Sequence, residues 1–210
     1  MKVSLAYPKI PDSTDFRPRQ CIAFEKYDGT NLHWIWSVDG WKSFGTRRSR
    51  FDFTDDGIAE FCQEHHGLEE APVLFRSSLF ETLGHHLSKQ QVTSVVCFTE
   101  FWGANSFAGH HKQEDIKHLT LIDVCMDGKM LPPNEFIKLF SGFPIANVVY
   151  QGKYNGQFVE DVRNGKFKVN EGVVCKGVGG GALYMAKIKT DDYLNRLKNN
   201  FPNTWSDHWE

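Results

Sequence analysis

The stretch "EKYDGTNLHW", residues 25–34, sets Lys26 two residues before Asp28 and three before Gly29. A lysine amine is a nucleophile only when uncharged, and a glycine beside it lets a ligand or another backbone come close. Taken alone the spacing describes a solvated lysine beside a turn, a pattern that chance supplies in about one chain of this length in twenty. Four further stretches change that reading. "GTRRSRF" carries Arg47, Arg48 and Arg50, "FTEFWG" ends a strand-like run with Glu100, "EGVVCKG" opens with Glu171 and carries Lys176, and "AKIKT" holds Lys187 and Lys189. Side chains two apart on a strand share a face, so Lys187 and Lys189 point the same way. Two like charges side by side repel unless an anion lies between them, and a nucleotide phosphate fits that need.

The elements that must position these groups are readable from pattern. "CIAFEK" and "NLHWIWSV" read as strands, and Asp39-Gly40 turns the second back into "WKSFGTR". "TDDGIAEFCQEHHG" reads as a helix capped by Thr54, and residues 74–90 as a second helix. "VTSVVCFTEFWG" and "HLTLIDVCMDGK" are β-branched strands, Pro132 and Pro133 start a short helix, and "YNGQFVEDVRNG" forms another. "EGVVCKG" and "LYMAKIKT" pair across the glycine turn 179–181, and "DDYLNRLKNNF" is a last helix capped by Asp191 or Asp192. Residues 1–19 are proline-punctuated and extended. The expectation is one α+β domain over 1–210, with antiparallel sheets flanked by helices.

Composition narrows the class. A chain of 210 residues with 17 Phe, 6 Trp and 6 Tyr can bury a substantial core without disulfides or a structural metal. A net charge of −2 excludes a non-specific polyanion coat, so polyanion binding must come from a local patch. The five scattered cysteines include no C-x-x-C pair, and no run approaches the length of a membrane span or a signal peptide. A soluble, reducing, cytoplasmic setting is expected, away from membranes.

The ordered set resembles the covalent nucleotidyltransferases, the ATP-dependent polynucleotide ligases and mRNA capping enzymes. "KYDG" resembles their nucleophile motif, "FTEFWG" the third motif, "EGVVCK" the fourth and "KIK" the fifth. No one of these carries the resemblance; their order does, and it spans residues 26–189. DNA ligases follow the glycine with x-Arg, whereas Asn31 stands there in this chain, as in the RNA ligase 2-like group. One departure is Ile122 in "LIDV", where that family has an aromatic stacked on adenine.

The resemblance implies a nucleotidyltransferase domain that attacks ATP with Lys26, keeps AMP as a phosphoramidate, passes it to a 5′-phosphate and joins that end to a 3′-hydroxyl. Lys187 and Lys189 become catalytic partners. Asp28, Gly29, Asn31, Arg47, Glu100, Ile122 and Glu171 join the three lysines in the ATP site, with Gly29 admitting the nucleotide and Glu100 accepting from the ribose. Glu171 is the carboxylate near Mg2+ or Mn2+, and Arg48 and Arg50 contact RNA phosphates. Lowering the amine pKa from about 10.4 to about 7 means destabilising the ammonium by roughly 4–5 kcal/mol, a task assigned to Lys187, Lys189 and Arg47. Which of Arg47 and Arg48 touches the nucleotide stays open.

Rival readings are a DNA nick ligase, a capping guanylyltransferase and a nucleotide-binding module without sealing activity. Asn31 weighs against the first. The chain's end 21 residues after Lys189, with no appended OB-fold, weighs against the second. Lys26, Glu171, Lys187 and Lys189 together weigh against the third. The expected partners are RNA ends or a nicked duplex, with a partner protein or second copy supplying further RNA surface through Trp205 and Trp209. The doublets His65-His66, His85-His86 and His110-His111 lack metal-ligand spacing and read as solvated or helix-end histidines. Trp34 and Trp36 read as core, and Cys175 as a small strand filler.

Overall fold

The computed structural model describes residues 7–104 and 112–205. Two antiparallel sheets face each other. The smaller holds β1 (Gln20–Lys26), β8 (Val148–Lys153), β9 (Gly172–Gly179) and β10 (Ala182–Lys189), in the order β10-β9-β1-β8. The larger holds β2 (Gly29–Ser37), β3 (Gly40–Gly45), β4 (Arg50–Asp52), β5 (Ser94–Trp102), β6 (His118–Met126) and β7 (Lys129–Met130), in the order β4-β3-β2-β5-β6-β7. The chain crosses between sheets at Tyr27-Asp28, so Lys26 ends one sheet as Gly29 begins the other.

Strand alternation sorts the small sheet into two faces. Ala23, Val173, Cys175, Ala186 and Ile188 pack on one side with Phe158 and Val162 of α5 (Gly156–Arg163). Lys26, Val174, Lys176, Lys187 and Lys189 fall on the other, toward the large sheet. The large sheet buries its own outer face under α1 (Asp55–Glu64), α2 (Glu70–Ser78) and α3 (Phe80–Ser88). Trp34 is the centre of that layer, stacked on Phe75 at 3.8 Å between centroids and on Phe44 at 5.3 Å. Its indole Nε1 donates to Thr99 Oγ1 at 2.8 Å, so its one polar atom is satisfied. Burying a large apolar side chain of this kind contributes about 1.5–3 kcal/mol. Trp34 and Trp36 are core, as their alternation indicated, and Cys175 is buried as the small strand filler it was read to be.

Three local readings need correction. The helix expected over 74–90 is two helices, α2 and α3, which meet at fully buried Leu79, a residue that stays in the αR region with its φ widened to −119°. The cap of α6 (Asp191–Asn200) is Thr190, whose Oγ1 accepts from Tyr193 N at 3.1 Å; Asp191 and Asp192 fall in the first turn. The strand β8 was not expected, since "VVYQGK" is a half-exposed edge without a clean alternation. Thr54 caps α1 and α4 (Pro133–Phe140) starts on proline, both as read. His110, His111 and Trp209 lie outside the described residues. Among the described residues no helix is long and apolar enough to cross a membrane.

Candidate active site

The space between the sheets is a cavity of about 800 Å³. Its polar end is built where β1, β9 and β10 stop in register. Lys26 and Lys189 both pair with Gly172, one from each side, so the two lysines flank the first residue of β9. A Cβ at Gly172 would meet Ile188 O at 2.0 Å, and its φ of +155° also favours glycine. Glu171, one residue earlier and buried, reaches between the lysines. Lys26 Nζ donates to its Oε2 at 2.8 Å, and Lys189 Nζ lies 3.5 Å from Oε1.

The network continues into α6. Tyr193 donates its hydroxyl to Asp28 Oδ1 at 3.0 Å, and the Lys189 ammonium sits over the same ring, 5.1 Å from its centroid. A chain of contacts from Asp28 through Tyr193, Lys189 and Glu171 therefore ends on Lys26, the nucleophile candidate. Burial and the neighbouring carboxylates push the Tyr193 phenol upward, so it stays a donor.

The electrostatics of Lys26 differ from expectation. Burial disfavours its ammonium, but Glu171, Glu100 and Asp28 outweigh that, and its pKa is raised. The carboxylates around it outweigh the repulsion that it shares with Lys189, so the cations assigned to depress it do not prevail. Lys189 goes the other way: burial exceeds the pull of Glu171, Lys26 adds repulsion, and its pKa falls. Glu100, paired in register with Asn31 across β5 and β2, is pushed up to about 7 by burial, with Glu171 adding repulsion and Lys26 offsetting in part.

Ten of the expected residues line this cavity: Lys26, Asp28, Gly29, Asn31, Arg47, Glu100, Ile122, Glu171, Lys187 and Lys189. Arg48 and Arg50 do not. Arg47 Nη2 donates to Tyr7 O at 3.5 Å, which ties it to the N-terminal segment. The close approach that Gly29 permits is to β5: a Cβ there would meet Phe101 O at 2.3 Å.

The opposite end of the cavity is less polar, lined by Tyr7, Phe24, Ile122, Ala146 and Val174. It is closed by a buried ion pair that the sequence reading did not assign a role. Lys176 of β9 lies 2.7 Å from Asp123 of β6 and donates to Ile122 O at 2.8 Å. Its ammonium also faces Phe24 at 4.7 Å and Phe136 at 5.4 Å from the ring centroids. Burial lowers the Lys176 pKa, with Asp123 opposing. Tyr7 donates to the same Asp123 carboxylate, so three segments meet there. Its sequence signals were its place as the lysine of "EGVVCK" and its alternation with Val174 and Gly172.

Among the described residues no cluster of three or more His, Cys, Asp or Glu side chains forms a metal-binding set. Glu171 and Glu100 are hard oxygen donors on one cavity, and burial pushes the Glu100 carboxyl up to about 7, with the Glu171 carboxylate adding to it. That suits a magnesium or manganese ion, which takes few carboxylates and completes its shell with phosphate and water.

Neither a protein-family model nor a curated protein matches the sequence. Solved structures do resemble the fold. An archaeal ATP-dependent RNA ligase superposes with a TM-score of 0.60 at 16% identity, over 95% of this chain and 52% of its own. A variant of the Naegleria gruberi RNA ligase with AMP and manganese gives 0.64 at 15% identity, over 93% and 59%. A putative ATP-dependent DNA ligase from Aquifex aeolicus gives 0.58 at 16% identity, over 97% and 56%. The chain spans just over half the length of these proteins. With two helix-flanked antiparallel sheets and a cavity between them, the chain has the nucleotidyltransferase fold of ATP-dependent ligases.

Proposed function

We propose that the chain is an ATP-dependent RNA ligase that works through a lysyl-AMP on Lys26. The observation that carries this reading is the bridge of Lys26 and Lys189 by Glu171 at the polar end of a cavity whose far end is apolar. The adenine lies against Phe24, Ile122, Ala146 and Val174, and the phosphates lie toward Lys187 and Lys189. Arg47 and Asn31 line the ribose and phosphate region, and Glu100 accepts from a ribose hydroxyl.

In the first step the Lys26 ammonium loses its proton, and Glu171 Oε2, 2.8 Å away, is the acceptor in reach. The amine then bonds to the α-phosphorus, and the bond from that phosphorus to the bridging oxygen breaks, releasing pyrophosphate. Lys187 and Lys189 neutralise the charge that develops on the moving oxygens. A 5′-phosphate oxygen next bonds to the same phosphorus as its bond to Lys26 breaks and the amine takes up a proton. A 3′-hydroxyl oxygen, giving its proton to water, finally bonds to the 5′-phosphorus as the bond to the AMP phosphate breaks and AMP leaves. Glu171 would hold a magnesium or manganese ion together with the nucleotide phosphates, and the ion would supply charge neutralisation there.

The test is intact-protein mass after incubation with ATP and magnesium. A gain of one AMP in acid-labile, base-stable linkage is expected, absent in Lys26→Ala. Wild-type labelling in that variant overturns the assignment, and preferential labelling by GTP moves the reading to a capping enzyme.

A further inference from the structure

A second cavity, of about 420 Å³, lies beside the first and shares Lys9, Ile10, Lys187 and Lys189 with it. We propose that this cavity is a phosphate subsite used twice, first by the departing pyrophosphate and then by the incoming 5′-phosphate of the nucleic-acid end. The proposal rests on the reading of Lys26 as the nucleotidyl acceptor and extends it to Lys9 and Arg163.

The geometry comes from the sheet. Register runs from Lys26 through Gly172 to Lys189, crossing β1, β9 and β10 in order, and β10 is the edge strand. Two strand spacings separate the ends of that line, about 10 Å. The second cavity lies along β10, lined by Lys187, Ile188 and Lys189, and by Arg163 from the last turn of α5. Phosphoryl transfer places the attacking and leaving groups on opposite sides of phosphorus. With Lys26 attacking from β1, the leaving oxygen departs toward β10 and its lysines. When Lys26 becomes the leaving group, the same rule brings the 5′-phosphate in from that side. One anion site therefore serves both steps.

The charge there fits. Lys9, Arg163, Lys187 and Lys189 line the cavity with Asp12 and Asp15, leaving an excess of cations. The wall that carries Lys9 is fixed in place: Lys187 N donates to Pro11 O at 2.9 Å, and Tyr154 donates its hydroxyl to Ser13 O at 2.7 Å. Asp12 is turned into its own loop, accepting from Thr14 N at 2.8 Å and Thr14 Oγ1 at 2.6 Å. Those bonds hold its carboxyl below the usual range, and Lys187 and Arg163 add to the effect, so both cations act on one locality.

The test titrates inorganic pyrophosphate into the full chain and into Lys9→Ala/Arg163→Ala, with heat or phosphorus NMR as readout. The expected result is binding by the wild type that weakens about tenfold in the double variant, with partial recovery in Lys9→Arg. Equal affinity in the two proteins, or no binding to either, overturns the subsite. Transfer of AMP from the loaded enzyme to 5′-phosphate RNA is expected to fall in parallel, while adenosine binding stays within twofold. Weakened pyrophosphate binding with unchanged transfer refutes the double use. Failure of the wild type to form lysyl-AMP overturns the proposed function instead, and the pyrophosphate titration still decides the subsite.

Discussion

Lys26 and Glu171 are 145 residues apart in sequence and meet at 2.8 Å in the cavity. The carboxylate holds the amine as an ammonium, the form that cannot attack. The pair is thus both a brake on the nucleophile and the acceptor positioned to take its proton.

Self-adenylylation is therefore expected to rise with pH, because the neutral fraction of a raised-pKa lysine grows as pH rises. Glu171→Gln removes an attractive charge, so the rising limb moves to lower pH, while the maximal rate drops about 100-fold with the loss of the proton acceptor. Rate profiles of label incorporation check both effects, and an unmoved limb in Glu171→Gln would show that Glu171 does not set the amine's charge.

Glu100 gives a second pH signature. Its folded pKa of about 7 lies above the value of an unfolded glutamate, so the folded state retains a proton that the unfolded state has lost. Stability then declines as pH rises from about 4.5 to about 7 and levels off above. Glu100→Gln escapes that decline. It is expected to gain about 1–2 kcal/mol over the wild type at pH 8, after discounting for solvent in the cavity, and nothing at pH 4. Urea unfolding at the two pH values measures the difference.

Lys176 and Asp123 are both buried, so removing one leaves the other charge unpaired. Lys176→Met and Asp123→Leu are each expected to cost about 3–5 kcal/mol, and the double variant to recover most of it. Chemical denaturation of the three proteins forms the double-mutant cycle. Additive losses would mean that the pair is not coupled.

Asn31, facing Glu100 across β2 and β5, carries the preference for RNA in the proposed reading. Nicked duplexes ending in a 3′-ribose are expected to be sealed faster than all-deoxy nicks, with binding that weakens as salt rises. Equal rates on the two nicks would remove the RNA preference.

The residues legible in sequence are those whose role follows from strand ends and alternation. Lys26, Glu171, Lys187 and Lys189 sit at or beside the ends of three strands; a period of two put Lys187 and Lys189 on one face, and the motifs "KYDG" and "EGVVCK" marked the other two. The Lys176–Asp123 pair needs the facing of two sheets, which no local pattern encodes. Tyr193 and Tyr7 reach the site from segments outside every strand motif, so their long-range bonds to Asp28 and Asp123 left no local trace. The division at Leu79 falls on a good helix former, so composition did not mark it. At the start of α6, Thr190, Asp191 and Asp192 are all good caps, so the choice among them was degenerate until the backbone was seen.

The segment that carries Lys9 also governs what the molecule can pair with. It lies on β10, an outer strand of the small sheet, accepting from Lys187 N at Pro11 O, while Ile10 packs in one cluster with Met185. Prolines at 8 and 11 have no N–H to donate, so the segment occupies the rim without becoming a strand that another chain can extend. A second copy seeking to add a strand there must first displace residues 8–13, giving up the Lys187 and Tyr154 bonds to that segment. Association by sheet extension is thus blocked beside the proposed phosphate subsite, which keeps that rim available to a polyanion.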